Sequence, residues 1–405
     1  MLFAFHGPAY WYYTRVWGPA DPWLDQILRA ASTYDVIGDL DIALGITFLM
    51  VCVGVFAANL QHNLRAKDWR AAVSRWQHTD LQRDADAEKR LRVAALSIAV
   101  IVLLPFLIFD NQIGKTIDYF VSDVNEADKI FMRREGGGSG FYFYNLLLGT
   151  LFSFVGFALV GMRATGEKTG KTLFWIFVLL MCVAKASTLS KAPLAIYVLQ
   201  IVLTAAMVKS LKISARTMAI LLILMPLLML FMIFIANVDL NFDSAYDFLI
   251  YRTLFVVNEG LVEYFSAIPH VIPHTWGKGF SWVASIFDVE PTLPIYWLVG
   301  EVHRGTLGST TTVMFLGGAW ADFSWVGVVV ISFFAGFIVR WVDIALLIDR
   351  EKSVFTMAGL SVVHYGIFIA LSTSLQTAMI TGGIALVPIF LLAFDPRART
   401  RLRQT

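Results

Sequence analysis

The sequence predicts an all-α polytopic membrane protein with about nine to ten transmembrane helices and one large loop outside the cytoplasm. Three observations carry that expectation. The 405 residues are 58% hydrophobic and 15% charged, with a mean hydropathy of +0.68, more apolar than a soluble domain of this size needs for its core. Apolar runs recur at close to the roughly 20 residues that an α-helix needs to cross about 30 Å of hydrocarbon. Lysine and arginine gather in alternate connections, which is the pattern that orients membrane helices with their basic loops inside.

Residues 1–37 are aromatic and interrupted by Pro8, Pro19 and Pro22. That composition predicts an interfacial or re-entrant segment with Trp and Tyr at headgroup depth; a short kinked span there would be the tenth helix. The run from Met1 to Trp17 has no basic leader, so no cleavable signal is expected. The first firm span is Asp39 to Leu60, where Asp39 and Asp41 suit the positive end of the helix dipole. Arg65, Lys67, Arg70, Arg75 and Lys89 place the next connection inside. Val93 to Phe109 leads out to a loop ending in the glycine-rich stretch 136–140. No strand precedes those glycines and no Gly-Lys-Ser/Thr follows, so they read as a tether rather than a phosphate cradle. Phe141 to Val160 returns to Arg163, Lys168 and Lys171. Thr172 to Ala184 and Pro193 to Val208 then flank an outer turn bounded by Lys185 and Lys191. Thr217 to Asn237 delivers the chain outward, and Val326 to Trp341, Val354 to Leu371 and Gly382 to Phe394 complete the set, with Arg340, Arg350, Lys352 and the arginine-rich tail inside. The chain 1–405 is thus expected to be a single integral membrane domain, with residues 238–325 as its large outer loop.

A net charge of +2 gives no reason to expect a nucleic-acid partner. Cys52 and Cys182 fall inside apolar spans and read as unpaired small hydrophobes. The ionisable residues concentrate in the large loop, which is too apolar and aromatic for disorder. Irregular backbone near a membrane needs protein or water around it, so this loop is expected to roof a cavity. ATP is absent on that side of a bacterial membrane, which favours a substrate carrying its own activation, such as a sugar on a lipid diphosphate. Planar guanidinium groups suit a diphosphate, making Arg252 and Arg304 the leading candidates, with Lys185 and Lys191 behind them and Arg133, Arg134 and Lys278 further back. A proton acceptor for an attacking hydroxyl could come from Glu259 and Glu263, four apart on one helix face, or from Glu301 and His303 beside Arg304. The plainer readings stay open: a solvated helix face for Glu259 and Glu263, a salt bridge between Glu301 and Arg304, interfacial charges for the lysines, and an interhelical hydrogen bond for His364 inside its span. Val271, Ile272 and Pro273 separate His270 from His274 and break the helix that would align a metal pair, so no metal and no cofactor is expected.

At these residues the chain resembles the oligosaccharide repeat-unit polymerases, the O-antigen polymerase (Wzy-type) family. The likeness rests on Tyr251 and Arg252, then Glu263 to Phe265, then Gly277 to Gly279, as a loop opening. The run from Thr312 through Gly317, Gly318, Asp322 and Phe323 to Gly327 matches a closing signature, and the Lys185 to Lys191 turn adds a third match. The chain departs from the family pattern at its N-terminus, where the further spans common in the family are lacking or compressed, and in carrying Glu290 to Pro294 where a Pro-Arg segment is usual. The resemblance implies a GT-C-like, metal-independent membrane glycosyltransferase of the bacterial inner membrane, its large loop periplasmic. It would transfer a growing O-antigen or exopolysaccharide glycan from undecaprenyl diphosphate to a lipid-linked repeat unit. The implied partners are that undecaprenyl-diphosphate-linked oligosaccharide, membrane lipid and a chain-length regulator. The competing expectations are an O-antigen ligase-type transferase with the same chemistry, and a polysaccharide transporter or flippase, which would carry its charges along helices in mid-membrane.

Overall fold

The computed structural model describes residues 6–17, 22–30, 33–81, 84–108, 116–117, 139–164, 168–188, 191–209, 255–278, 288–290, 292–305 and 313–395, with isolated positions that include Tyr251 and Thr311. The expected span Thr217 to Asn237, the glycine stretch 136–140 as far as 138, Arg133, Arg134, Arg252 and the arginine-rich tail lie outside the described residues. Every longer element among those described is helical. In chain order they are α1 (Pro8–Tyr12), α2 (Pro22–Ala30), α3 (Val36–Gln61), α4 (Ala66–His78) and α5 (Ala85–Ile108), followed by α6 (Ser139–Gly149), α7 (Leu151–Ala164), α8 (Lys168–Ala186) and α9 (Lys191–Lys209). Next come α10 (Val256–Ala267), α11 (Ile295–Arg304), α12 (Phe315–Asp343), α13 (Val354–Ala370), α14 (Leu375–Ile380) and α15 (Val387–Phe394). Among the described residues, four stretches are long and apolar enough to cross a membrane: Val36–Gln61, Phe143–Arg163, Phe315–Ile348 and Leu375–Phe394. This is a helical membrane protein.

The chain forms two compact units. The first comprises Met1–Asn63, Phe242–Trp341 and Phe368–Ala378; the second comprises Leu64–Asn241, Val342–Ile367 and Met379–Thr405.

In the first unit, proline starts the two short N-terminal helices, where its missing N–H costs nothing. Asp35 caps α3 by accepting from the Gly38 N–H at 2.9 Å. Asp41, placed by the sequence at the positive end of the helix dipole, receives the Tyr10 hydroxyl at 2.7 Å and the Arg15 guanidinium at 2.6 Å, which ties the N-terminal segment to α3. Helix α3 crosses α12 at two glycines. A Cβ on Gly54 would lie 2.1 Å from the Phe333 carbonyl oxygen, and one on Gly336 2.1 Å from that of Val51. Small residues allow this approach, which is how helices in lipid gain packing without a hydrophobic driving force. Ser332 adds a hydroxyl bond to Thr47 at 3.2 Å.

His6 anchors the start of the described chain. Its Nε2 donates to the Leu371 carbonyl at 3.3 Å and its Nδ1 meets the Asn258 side-chain amide at 2.9 Å. Burial pushes its pKa below the usual value for histidine, so the unfolded chain binds a proton more readily than the folded one. The contribution of His6 is therefore intact above about pH 6.5 and falls away in acid. Protection of the amides in residues 8–17, with the intrinsic pH dependence of exchange divided out, is expected to fall several-fold between pH 7.5 and pH 5.5, and His6→Gln is expected to flatten that dependence; hydrogen-exchange mass spectrometry reads both.

In the second unit, α7 packs against α5, α8 and α9. The most apolar part of the Phe143–Arg163 stretch is two-thirds buried, against 28% for Val36–Gln61, so the former is central to its unit while α3 lies nearer the surface of its own. Helix α4 is docked by Arg75, which donates to the Ile348 carbonyl at 2.8 Å, and by the Lys352 ammonium on the carbonyls of Trp76 and Thr79. The Thr204 hydroxyl crosses from α9 to Ser361 of α13 at 2.8 Å.

Candidate functional site

Helix α10 is buried at every residue from Asn258 to Ala267. Its one-turn spacing puts Glu259 and Glu263 on one face, and such carboxylates are stable inside a protein only when paired and hydrogen-bonded. The partner comes from the last turn of α11. That helix is ended by Gly305 in the left-handed region (φ +64), where a side chain would be strained. One guanidinium nitrogen of Arg304, Nη2, reaches Glu263 Oε1 at 3.0 Å and Glu259 Oε1 at 3.4 Å. Thr311 donates to Glu263 Oε2 at 2.7 Å and the Tyr251 hydroxyl donates to Glu259. The side chains of Glu259 and Glu263 are 5% and 0% exposed, while that of Arg304 is 35% exposed. The carboxylates therefore fix the arginine from within and leave part of its charge accessible. The solvated-face reading of this pair does not hold. Glu301 is exposed, and Arg304 turns to α10 rather than to this neighbour on its own helix.

His303 sits beside this cluster, with Nε2 2.9 Å from the Glu263 carbonyl and 3.1 Å from the Ser266 hydroxyl. A carbonyl can only accept, so Nε2 carries the ring proton and, in the neutral imidazole, Nδ1 is the nitrogen that can accept another. His303 also lines a cleft of about 380 Å³ shared with Trp23, Gln26, Tyr34, Ser266 and His270. The cleft exists because α2 packs on α10, with Leu24 and Ile27 as its buried face.

The run 312–327 has a structural role beside this site. The sequence places a span entry at Val326, whereas α12 begins at Phe315. The helix is broken at Phe323 and Ser324, the latter at φ +54, which releases carbonyls that a regular helix would occupy. Two of them bind the preceding segment: the Thr275 N–H donates to Ala321 O at 3.0 Å, and the Trp276 N–H to Asp322 O at 2.8 Å. The buried Asp322 carboxylate accepts from the Thr275 hydroxyl. Trp320 stacks on Phe265 at 4.5 Å and donates its indole N–H to the Ile268 carbonyl at 3.0 Å.

The geometry thus joins Glu259, Glu263, His303 and Arg304. Lys185 belongs to the second unit, where its ammonium is buried, donating to the Leu148 carbonyl at 3.3 Å with the rings of Tyr197 and Tyr365 at 5.1 and 5.7 Å. Lys191 opens α9, its side chain outside the described residues, as is Arg252. Among the described residues no group of three or more His, Cys, Asp or Glu could hold a metal ion. Tyr251, Thr311 and Ser266 complete the cluster, and residue type alone does not single them out; Tyr251 has a sequence signal only as the neighbour of Arg252. No protein-family model, curated protein or solved structure matches this chain.

Proposed function

We propose that the chain is a bacterial surface-polysaccharide polymerase, a metal-independent GT-C-type glycosyltransferase of the inner membrane with nine to ten spans and its large loop periplasmic. Its reaction breaks the bond between the anomeric carbon of the growing glycan and the undecaprenyl diphosphate oxygen. A new glycosidic bond forms to a hydroxyl of the next lipid-linked repeat unit, undecaprenyl diphosphate leaves, and the hydroxyl proton passes to a base. The reading is carried by the partly exposed guanidinium of Arg304, held by two buried carboxylates and next in sequence to an imidazole whose Nε2 is already committed. A prepositioned guanidinium lowers the energy of a departing diphosphate without reorganising as charge develops, and Arg252, one residue beyond Tyr251, is its expected companion. Glu259 and Glu263 are both spent on Arg304 and hydroxyl donors, which favours His303 as the proton acceptor through Nδ1. Glu301 stays outside this scheme.

The test is reconstitution of the full chain with a purified lipid-linked repeat unit. A ladder of lipid-linked products is expected, shortened or lost in His303→Ala and in Arg252→Lys, which keeps the charge but removes the two-pronged geometry. A repeat unit recovered unchanged would overturn the proposal. Transfer of preformed polymer to a lipid A core acceptor, without any ladder, would make the protein a ligase.

A further inference from the structure

We infer that the cleft beside His303 is a sugar subsite, which seats a pyranose of the incoming repeat unit with its hydroxyl toward the imidazole; this rests on the polymerase reading above. The volume of about 380 Å³ lies at the small end of the roughly 300–1,000 Å³ of ligand sites and suits one or two sugar rings rather than a lipid chain. Its walls have two characters. Trp23 and Tyr34 supply aromatic faces, the latter stacked on the His270 ring with centroids 3.3 Å apart. A pyranose presents a face of C–H bonds that packs on such rings. Gln26, Thr33, Ser266 and His303 supply an amide, two hydroxyls and an imidazole, the donors and acceptors that sugar hydroxyls need. An isoprenoid tail would strand these polar groups against hydrocarbon. Among the described residues no lysine, arginine, aspartate or glutamate lines the cleft, so it is built neither for phosphate nor for a cation. The departing diphosphate of the donor belongs with Arg304 and the sugar of the acceptor here, a division of labour between two adjoining residues of α11.

Gln26 is exposed and Tyr34 is 48% exposed, so substitutions there can be made without opening the core. The probe is the free repeat-unit oligosaccharide, released by mild acid from the lipid carrier of the native cells and titrated against the full chain in nanodiscs. Saturable binding is expected, weakened about tenfold in Tyr34→Ala and Gln26→Ala with unfolding temperatures unchanged, together with a raised KM for the acceptor and a kcat close to that of the unaltered protein. Equal affinity in both variants, or no saturable binding by the unaltered protein, overturns the subsite. A ladder that forms while the variants bind normally removes the subsite alone. Binding that depends on Tyr34 and Gln26 without any ladder supports a sugar site and removes the polymerase reading instead.

Discussion

Arg304→Met is expected to be the most damaging single substitution in the site, abolishing product and lowering stability together. It leaves Glu259 and Glu263 buried within one turn of each other without the guanidinium that both accept from. Removing one partner of a buried pair costs about 3–5 kcal/mol; because Arg304 is 35% exposed, part of its interaction is screened and the lower figure, about 3 kcal/mol, is the better expectation. Thermal unfolding in nanodiscs measures it. The triple variant with Glu259→Gln and Glu263→Gln removes the stranded charges while keeping acceptors for Tyr251 and Thr311, and it is expected to regain most of the stability with no recovery of product. That separation is the informative part: stability without polymer identifies the guanidinium as a chemical participant, whereas polymer restored along with stability reduces it to a structural counter-ion.

Gly336→Val is expected to have the next largest effect, on folding rather than chemistry. The first carbon of any side chain at this position lands 2.1 Å from a backbone oxygen of α3, and the reciprocal position, Gly54, faces the backbone of α12 in the same way. Neither obstacle is a flexible side-chain tip that can swing aside, so the helices must separate. Overpacking typically costs about 1–3 kcal/mol, and backbone-to-backbone contact puts this case at the upper end. Gly45 lies on α3 as Gly54 does, but a Cβ there would meet nothing within 4 Å, which makes it the control. Gly45→Ala is expected to be neutral or slightly stabilising, since alanine is the better helix former. Comparable losses at Gly45 and Gly336 would remove the close crossing as the cause.

Much of the scaffold is legible in the sequence because hydropathy and length report on the same thing. Helix α3 begins three residues before the expected Asp39 and ends one after Leu60, and the spacing of Glu259 and Glu263 correctly predicts a shared face. What spacing does not reveal is where a charge goes when its helix is buried. Glu301 lies one turn from Arg304 on the same helix, yet the two carboxylates of α10, more than 40 positions earlier, have the greater need for a cation once water is gone. The break in α12 is hidden for a different reason: Phe323 and Ser324 are neither glycine nor proline, and the departure is stabilised by the distant Thr275 and Trp276. The cleft is hidden by distance too, since Trp23, Gln26 and Tyr34 are some 230 positions or more from Ser266 and His303, and nothing in their residue types marks them beyond aromatic content.

The interruption in α12 also bears on how genetic data from this stretch should be weighed. Asp322 is a deeply placed acid in a motif-like run, which is what a catalytic carboxylate resembles on paper, but its oxygen is occupied by Thr275, and Trp320 is occupied by Ile268. Both act as rivets between the rod and the strap that continues from α10. Silence after either rivet is cut speaks to the clasp, and says nothing about which group handles the proton.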